Sequence, residues 1–464
     1  MRRTTTVGEI DADVLAYTAG QDRVLDLALV EADCMGTAAH AAMLARVPVT
    51  PPLLTADDAR RIAAELAGLA DEARQGRFKI TLADQDVHLA VERRLTDKLG
   101  DIGKRVHVCR SRNDQVAVDM RLFAKERLLE AVSAASVLAR TLLTLARRHK
   151  KVPMVGRTHM QPAMPSSVGV WASAWAEGLL DDIELLKAAY DLNNQCPLGS
   201  AASYGVPLPI DRQLVSDLLG FAKPVHNVLH ANQARGKVES VILSALGQVM
   251  LTLSRLAQDV ILFSMPEFGY FRLPQEFTTG SSIMPQKRNP DVLELVRAKA
   301  AKVLAHASLV ADIIRAAPSG YNRDVQETKA PFLEGVDITI ASLRILPPLM
   351  AGLQVDRAAL RRAFSPDVFA TDRALELVAG GMPFRDAYHQ VKATLGEGAA
   401  QDPDRALAAK THLGAPAGLD FAALATRAKH ADSWATRERR RHEKCRDRLL
   451  APLAPRSHKS GLNS

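Results

Sequence analysis

Aromatic side chains are scarce in this 464-residue chain, 5% against 47% apolar residues overall, so its interior has to be filled mainly by Ala, Leu and Val. Cysteine is scarce too. Cys34, Cys109, Cys196 and Cys445 stand far apart with no paired spacing, which argues against a disulfide framework and against a zinc site and leaves reduced thiols as the expectation. No uncharged apolar run reaches the ~20 residues of a membrane span; the longest, Ser240 to Ser254, is shorter and is broken by Ser, Gln and Thr. Arg2 and Arg3 are followed by polar and acidic residues with no apolar h-region. Neither a secretory signal nor a transmembrane helix is expected, and a cytoplasmic location fits best. Strand-like alternation and repeats of fixed period are absent as well.

Helix is what the sequence contains. From Lys104 to Val152 there is neither Gly nor Pro, and Met120, Leu122, Phe123, Leu128, Leu129, Val132, Val137, Leu138, Leu142 and Leu145 recur at helical spacing, which predicts one very long helix or two in succession. A second run covers roughly Arg235 to Phe263. A third, Pro290 to Ala317, has 28 residues and would form a rod of about 42 Å. Apolar stripes this broad need more than one partner, so the expectation is an all-α fold built on a central bundle of long rods, shared among subunits of a homo-oligomer. Three regions follow: an N-terminal helical cap over residues 1–108, a central bundle over 109–355, and a C-terminal helical cap over 356–464 with a basic tail. In that tail, residues 437–448 hold seven Lys or Arg against three acids. With no aromatic or motif support this reads as a solvated face, and neither nucleic acid nor membrane is expected as a partner. The net charge of +8 also suits a small dicarboxylate substrate.

Four polar clusters interrupt the Ala- and Leu-rich background. The first, Arg110 to Gln115, could turn Ser111, Arg112 and Asn113 toward a ligand, the arginines being forks for carboxylate; it could equally be a solvated helix entry. The second, Arg157 to Pro162, holds Thr158 and His159, and a lone histidine is more often structural than catalytic. The third is the loop Gly280-Ser281-Ser282-Ile283-Met284-Pro285-Gln286-Lys287-Arg288-Asn289-Pro290. Its hydroxyls, Lys287 and Asn289 can surround a carboxylate and the carbon beside it. Asn289 is expected to cap the helix that follows and Pro290 to take its first position, with the helix N-terminus favouring negative charge. Glu294, one turn on, could orient a histidine from another element. The fourth, Tyr321 to Lys329, offers a hydroxyl, an amide and a cation in Tyr321, Gln326 and Lys329, although charged helix starts look similar.

Together these strings resemble the signatures of the fumarase and aspartase superfamily, and the Met-Pro-Gln-Lys form of the loop resembles its argininosuccinate lyase branch. Asp86-Val87-His88, Ser111 to Gln115, Thr158 to Gln161, Pro197 to Ser200, Tyr321 to Asp324 and Ser365-Pro366-Asp367 agree and occur in the family's order. The resemblance implies a homotetramer whose active sites each draw on three chains and which breaks a C–N bond by anti elimination, releasing fumarate without metal or organic cofactor. It implies Ser281 as the base for the Cβ proton, and Lys287, Asn289, Asn113 and Thr158 as donors to the charge that builds on the carboxylate. His159 with Glu294 is implied as acid or relay for the leaving nitrogen. Ser111 and Arg112 would sit at the carboxylates, and Tyr321, Gln326 and Lys329 would grip the amine half, so that Lys329→Ala should mainly weaken binding. The expected reaction splits argininosuccinate into arginine and fumarate; the alternative is the same chemistry on another N-substituted aspartate. The chain departs from the family at Val108 and Cys109, where Thr and Gly are common, and at Gly236 and Lys237, where Asp and an aromatic are common. At the N-terminus, Asp22 falls at a serine position and Asp26 at an acid position, and either could face a guanidinium.

Overall fold

In the computed structural model, which describes residues 2–5, 8–396 and 401–451, the Gly- and Pro-free stretch forms a single helix of 37 residues, Arg112–Arg148. Among the shorter helices that precede it are α1 (Val30–Leu44), α2 (Ala56–Arg74) and α3 (Val87–Leu99). The long rod is α4. The remaining rods are α5 (Val168–Asn193), α6 (Lys237–Ser264), α7 (Asp291–Ile314) and α8 (Lys329–Ala351), and α9 (Phe421–Leu449) carries the basic cluster. Residues 452–464 of the expected tail lie outside the described residues.

Successive rods run antiparallel. Arg121 near the start of α4 donates to the carbonyls of Leu192 and Asn193 at the end of α5. Trp171 at the start of α5 donates to Asp259 at the end of α6, 2.9 Å away. Arg297 near the start of α7 bonds Gln258 late in α6, while a Cβ on Gly236, just before α6, would lie 2.4 Å from Ile314 at the end of α7. That approach and a φ of +75° explain why glycine occupies the entry to α6. Along the seams, Leu138, Leu142, Leu179, Ile183, Leu246, Leu253 and Leu343 are wholly buried in one cluster, each contributing roughly 1.5–3 kcal/mol. A second core joins α1, α2 and α3 through Leu44, Leu54, Ile62, Leu66 and Leu95.

Two expectations need correction. Helix α7 begins at Asp291, with Pro290 at its cap position and no side-chain cap bond, because Asn289 is taken up in a short strand pair, Thr279↔Asn289 and Gly280↔Arg288. The rod therefore has 24 residues and a length of about 36 Å. Strand pairing is also more frequent than expected: the described residues hold five two-stranded pairs, the longest joining β1 (Pro153–Thr158) and β2 (Gln161–Ser167). Helices α4 and α6 are long and apolar enough to cross a membrane when a few charges are allowed, but 61% and 56% of their most apolar windows are buried inside the protein, the property of core helices.

Candidate active site

One end of the bundle, where α4, α6 and α8 begin and α7 ends, encloses a cavity of about 100 Å³. Ser111 caps α4: its hydroxyl accepts from Asn113 N–H at 3.3 Å, and Asp114 answers by accepting Ser111 N–H at 2.9 Å. This reciprocal cap satisfies orphan helix donors and aims Arg112 and Asn113 into the cavity. Asp114 also accepts the N–H groups of Gly199 and Ala201, tying the Pro197 to Ser200 string to the same helix start. Just before it, Cys109 has a φ of +62°, the left-handed conformation that glycine, common there in the family, adopts freely.

The cavity wall carries charges of both signs. Its carboxylates are Asp22, Asp26 and Asp86; its cations are Arg112, Arg235, Arg323 and Lys329. Arg112 pairs with Asp86 at 2.8 Å. Lys329, 2% exposed, contacts Asp26 directly and Asp22 at 2.9 Å. Burial works against the Lys329 ammonium, but the two carboxylates outweigh it and hold its pKa above the ordinary lysine value. Burial raises Asp26, with Lys329 opposing and Asp22 adding; two carboxylates share one ammonium, so both partners hold protons more firmly. Lys329, expected to grip the amine half, is also engaged within its own chain. Gln326 is engaged too, its Nε2 donating to the Thr18 carbonyl and its Oε1 accepting from Arg323. Tyr321 lines the cavity and is partly exposed.

His88, from the Asp86-Val87-His88 string, also lines the cavity and leads into a buried cluster that the sequence did not reveal. His88 Nδ1 is 2.6 Å from Asp33 and 3.5 Å from Asp119, all three buried. Burial lowers the imidazole, yet the bond to Asp33 and the surrounding carboxylates raise it overall, while burial and the charges of Asp33 and Asp26 push Asp119 well above the carboxylate range. The three atoms are close enough together to hold a metal ion. The 2.6 Å contact and the nearby Arg110, whose charge acts on Asp119, suit a proton-bridged network as well. His88, Asp33 and Asp119 come from three different helices, and no spacing in the chain could have announced them.

The other expected residues lie at the opposite end. His159 and Met160, with φ of +52° and +64°, form the two-residue turn between β1 and β2, of the kind whose positive φ angles match strand twist. Thr158 flanks it, and all three are exposed. Ser281 opens a tight turn in which its Oγ accepts the N–H groups of Ile283 and Met284 at 3.3 and 3.1 Å. Two such donors favour negative charge on that oxygen. Lys287 and Glu294 are exposed and Asn289 is half-buried. Among the described residues, no ion pair joins His159 to Glu294. Ser281, Lys287, Asn289 and Glu294 therefore sit at the start of α7 and Tyr321, Gln326 and Lys329 beyond its end, about 36 Å apart along a 24-residue rod. A small dicarboxylate cannot bridge that distance within one chain.

Residues 8–305 match the family model described as lyase. The chain is 46% identical over 420 residues, 90% of its length and 96% of the relative's, to a protein of Sorangium cellulosum named argininosuccinate lyase. It is 42% identical over 383 residues, 82% of its length and 85% of the relative's, to one of the same name from Parabacteroides distasonis. The solved structure of EDDS lyase in complex with formate superimposes with a TM-score of 0.80 at 22% identity, covering 92% of this chain and 91% of that one, and shares the fold. With its long-rod bundle and this similarity along most of its length, the chain belongs to the argininosuccinate lyase family of the fumarase and aspartase superfamily.

Proposed function

We infer that this protein is a carbon–nitrogen lyase that cleaves argininosuccinate to arginine and fumarate. The observation that carries this reading is the 46% identity to an argininosuccinate lyase over 90% of the chain, joined to a cavity that sets cations against carboxylates, as an amino-acid amine requires. In the proposed reaction Ser281 takes the Cβ proton, its alkoxide held by the Ile283 and Met284 N–H groups and by Lys287. The electrons form the C=C bond as the Cα–N bond breaks. Lys287, Asn289, Asn113 and Thr158 stabilise the aci-carboxylate intermediate, with Ser111 and Arg112 nearby. His159, oriented by Glu294, protonates the departing nitrogen. Tyr321, Gln326 and the Lys329 pair with Asp22 and Asp26 receive the amine half. No metal or organic cofactor is needed for these steps, and a cytoplasmic location accords with a small-metabolite enzyme.

The same reading requires several copies of the chain at each site, and we propose the homotetramer. Its support is the 36 Å separation together with an uncovered face on α7. Only Leu293, Val296, Ala300, Val303 and Val310 of that apolar helix are buried, and Leu295 and Leu309 are left 56% and 46% exposed, a surface suited to another subunit.

The test is fumarate release from argininosuccinate, followed by ultraviolet absorbance, with Ser281→Ala as control. Release that depends on Ser281 is expected. Mixed oligomers of Ser281→Ala and Asn113→Ala subunits should regain activity that neither parent has, because some sites then draw both intact residues from different chains. No release by wild-type tetramer would overturn the argininosuccinate reading and direct the search to another N-substituted aspartate.

A further inference from the structure

Counting charges around the cavity leaves one cation over. Arg112 has Asp86, and Lys329 has Asp22 and Asp26. Arg323 is exposed and donates to the Thr18 carbonyl. Arg235 is different: it lines the cavity, is only 5% exposed, and its Nε and Nη2 have no hydrogen-bond partner among the described residues. A guanidinium cannot shed its charge as a buried carboxylate or lysine can, so leaving it dry and unpaired costs several kcal/mol. Its position is not accidental slack either. Arg235 N–H donates to the Asn232 carbonyl at 3.2 Å, closing the turn, and the next residue is Gly236, pinned against Ile314. The backbone is thus locked on both sides of a side chain that forms no ion pair among the described residues.

Resting on the proposed lyase reading, we propose that Arg235 binds the α-carboxylate of the amine half of the substrate. The amine half is the portion expected among Tyr321, Gln326 and Lys329, which line the same cavity. A planar carboxylate presents two acceptors to the fork of nitrogens that the chain leaves unsatisfied. In the proposed reaction the succinyl carboxylates fall instead to Lys287, Asn289 and Thr158 from the other end of the rods, with Ser111, Arg112 and Asn113 on the α4 side of the cavity. Arg235 accordingly sets specificity: it distinguishes an amino acid from a simple amine carrying the same cationic tail.

Arginine and agmatine, the same molecule without its carboxylate, make the test. Each is used as a competitive inhibitor of argininosuccinate cleavage by the wild-type tetramer and by Arg235→Gln. Wild type should prefer arginine by on the order of 10- to 100-fold, the value of a charge-assisted hydrogen-bonded pair, and Arg235→Gln should lose that preference, with KM for argininosuccinate rising more than kcat falls. A variant that still prefers arginine by the wild-type factor overturns the assignment, as does a wild type with no preference. If the Gln variant fails to assemble, Arg235→Lys is read by the same ratio, which should drop at least several-fold as the fork is lost. Wild-type enzyme unable to cleave argininosuccinate would instead overturn the proposed function, a result distinct from either outcome for Arg235.

Discussion

Replacing Lys329 with methionine should unfold the protein far more readily than loss of a ligand contact would explain. The Lys329 side chain is 3% exposed and those of its partners Asp26 and Asp22 are 1% and 14% exposed, so methionine fills the volume but leaves Asp26 as a buried carboxylate whose remaining bond is the Val87 N–H at 3.2 Å. Removing one partner of a buried pair costs about 3–5 kcal/mol. Asp22, closer to solvent, adds little because water screens it. The second replacement, Asp26→Asn, removes the stranded charge and keeps an oxygen for Val87 N–H. The double variant should recover at least about 2 kcal/mol of the loss. Urea unfolding followed by circular dichroism, at one fixed protomer concentration, yields all four corners of the cycle. A Lys329→Met protein within about 1 kcal/mol of wild type, or a double variant no better than the single, would refute the buried-pair account. Lost activity in such a variant would therefore report stability together with the weakened substrate binding expected from the sequence.

Two further outcomes follow from groups away from the cavity. Lys125, inside α4, donates to Asn194 and to the Gly220 carbonyl at 2.9 and 2.7 Å, and burial, with Arg441 adding, lowers its pKa from 10.5 to about 8. Between those values the unfolded chain binds more protons than the folded one, so stability rises with pH through that window and the cost of burying the charge is complete below about pH 8. Relative to Lys125→Met, wild type should therefore gain up to about 3 kcal/mol between pH 8 and 10.5 in matched denaturation curves; curves that stay parallel would contradict this. Cys109→Gly, at a φ of +62°, should raise stability by up to about 1 kcal/mol, the strain relief exceeding the added freedom of the unfolded chain, and a lower melting temperature would count against a strained backbone there.

The rods were legible because their signal is local. An unbroken helical periodicity without Gly or Pro marked α4, and broad apolar runs marked α6 and α7. Helix α8 was hidden by Pro347 and Pro348, which read as breakers yet sit within its last turns. The cap of α7 was misplaced by one residue because Asn289 pairs with Thr279, a tertiary choice that no capping preference encodes. At the cavity, the polar strings announced Arg112, Asn113, Tyr321, Gln326 and Lys329, and the structure brings these together. What could not be read was how their charges cancel. That depends on Asp26 and Lys329, separated by some three hundred positions, and on His88 meeting Asp33 and Asp119 from separate helices.

The length of α7 sets a division of labour. The turn that holds Ser281 and the chamber walled by Asp22, Arg235 and Lys329 are moored to opposite tips of one stiff rod, so a substitution that reshapes the chamber leaves the serine turn of the same chain undisturbed. Under the proposed roles, the chamber can thus change its amine preference while the serine turn keeps its geometry. An insertion within α7 would do the reverse, shifting the serine turn and the chamber of one chain relative to each other, and the rod acts as a ruler between them.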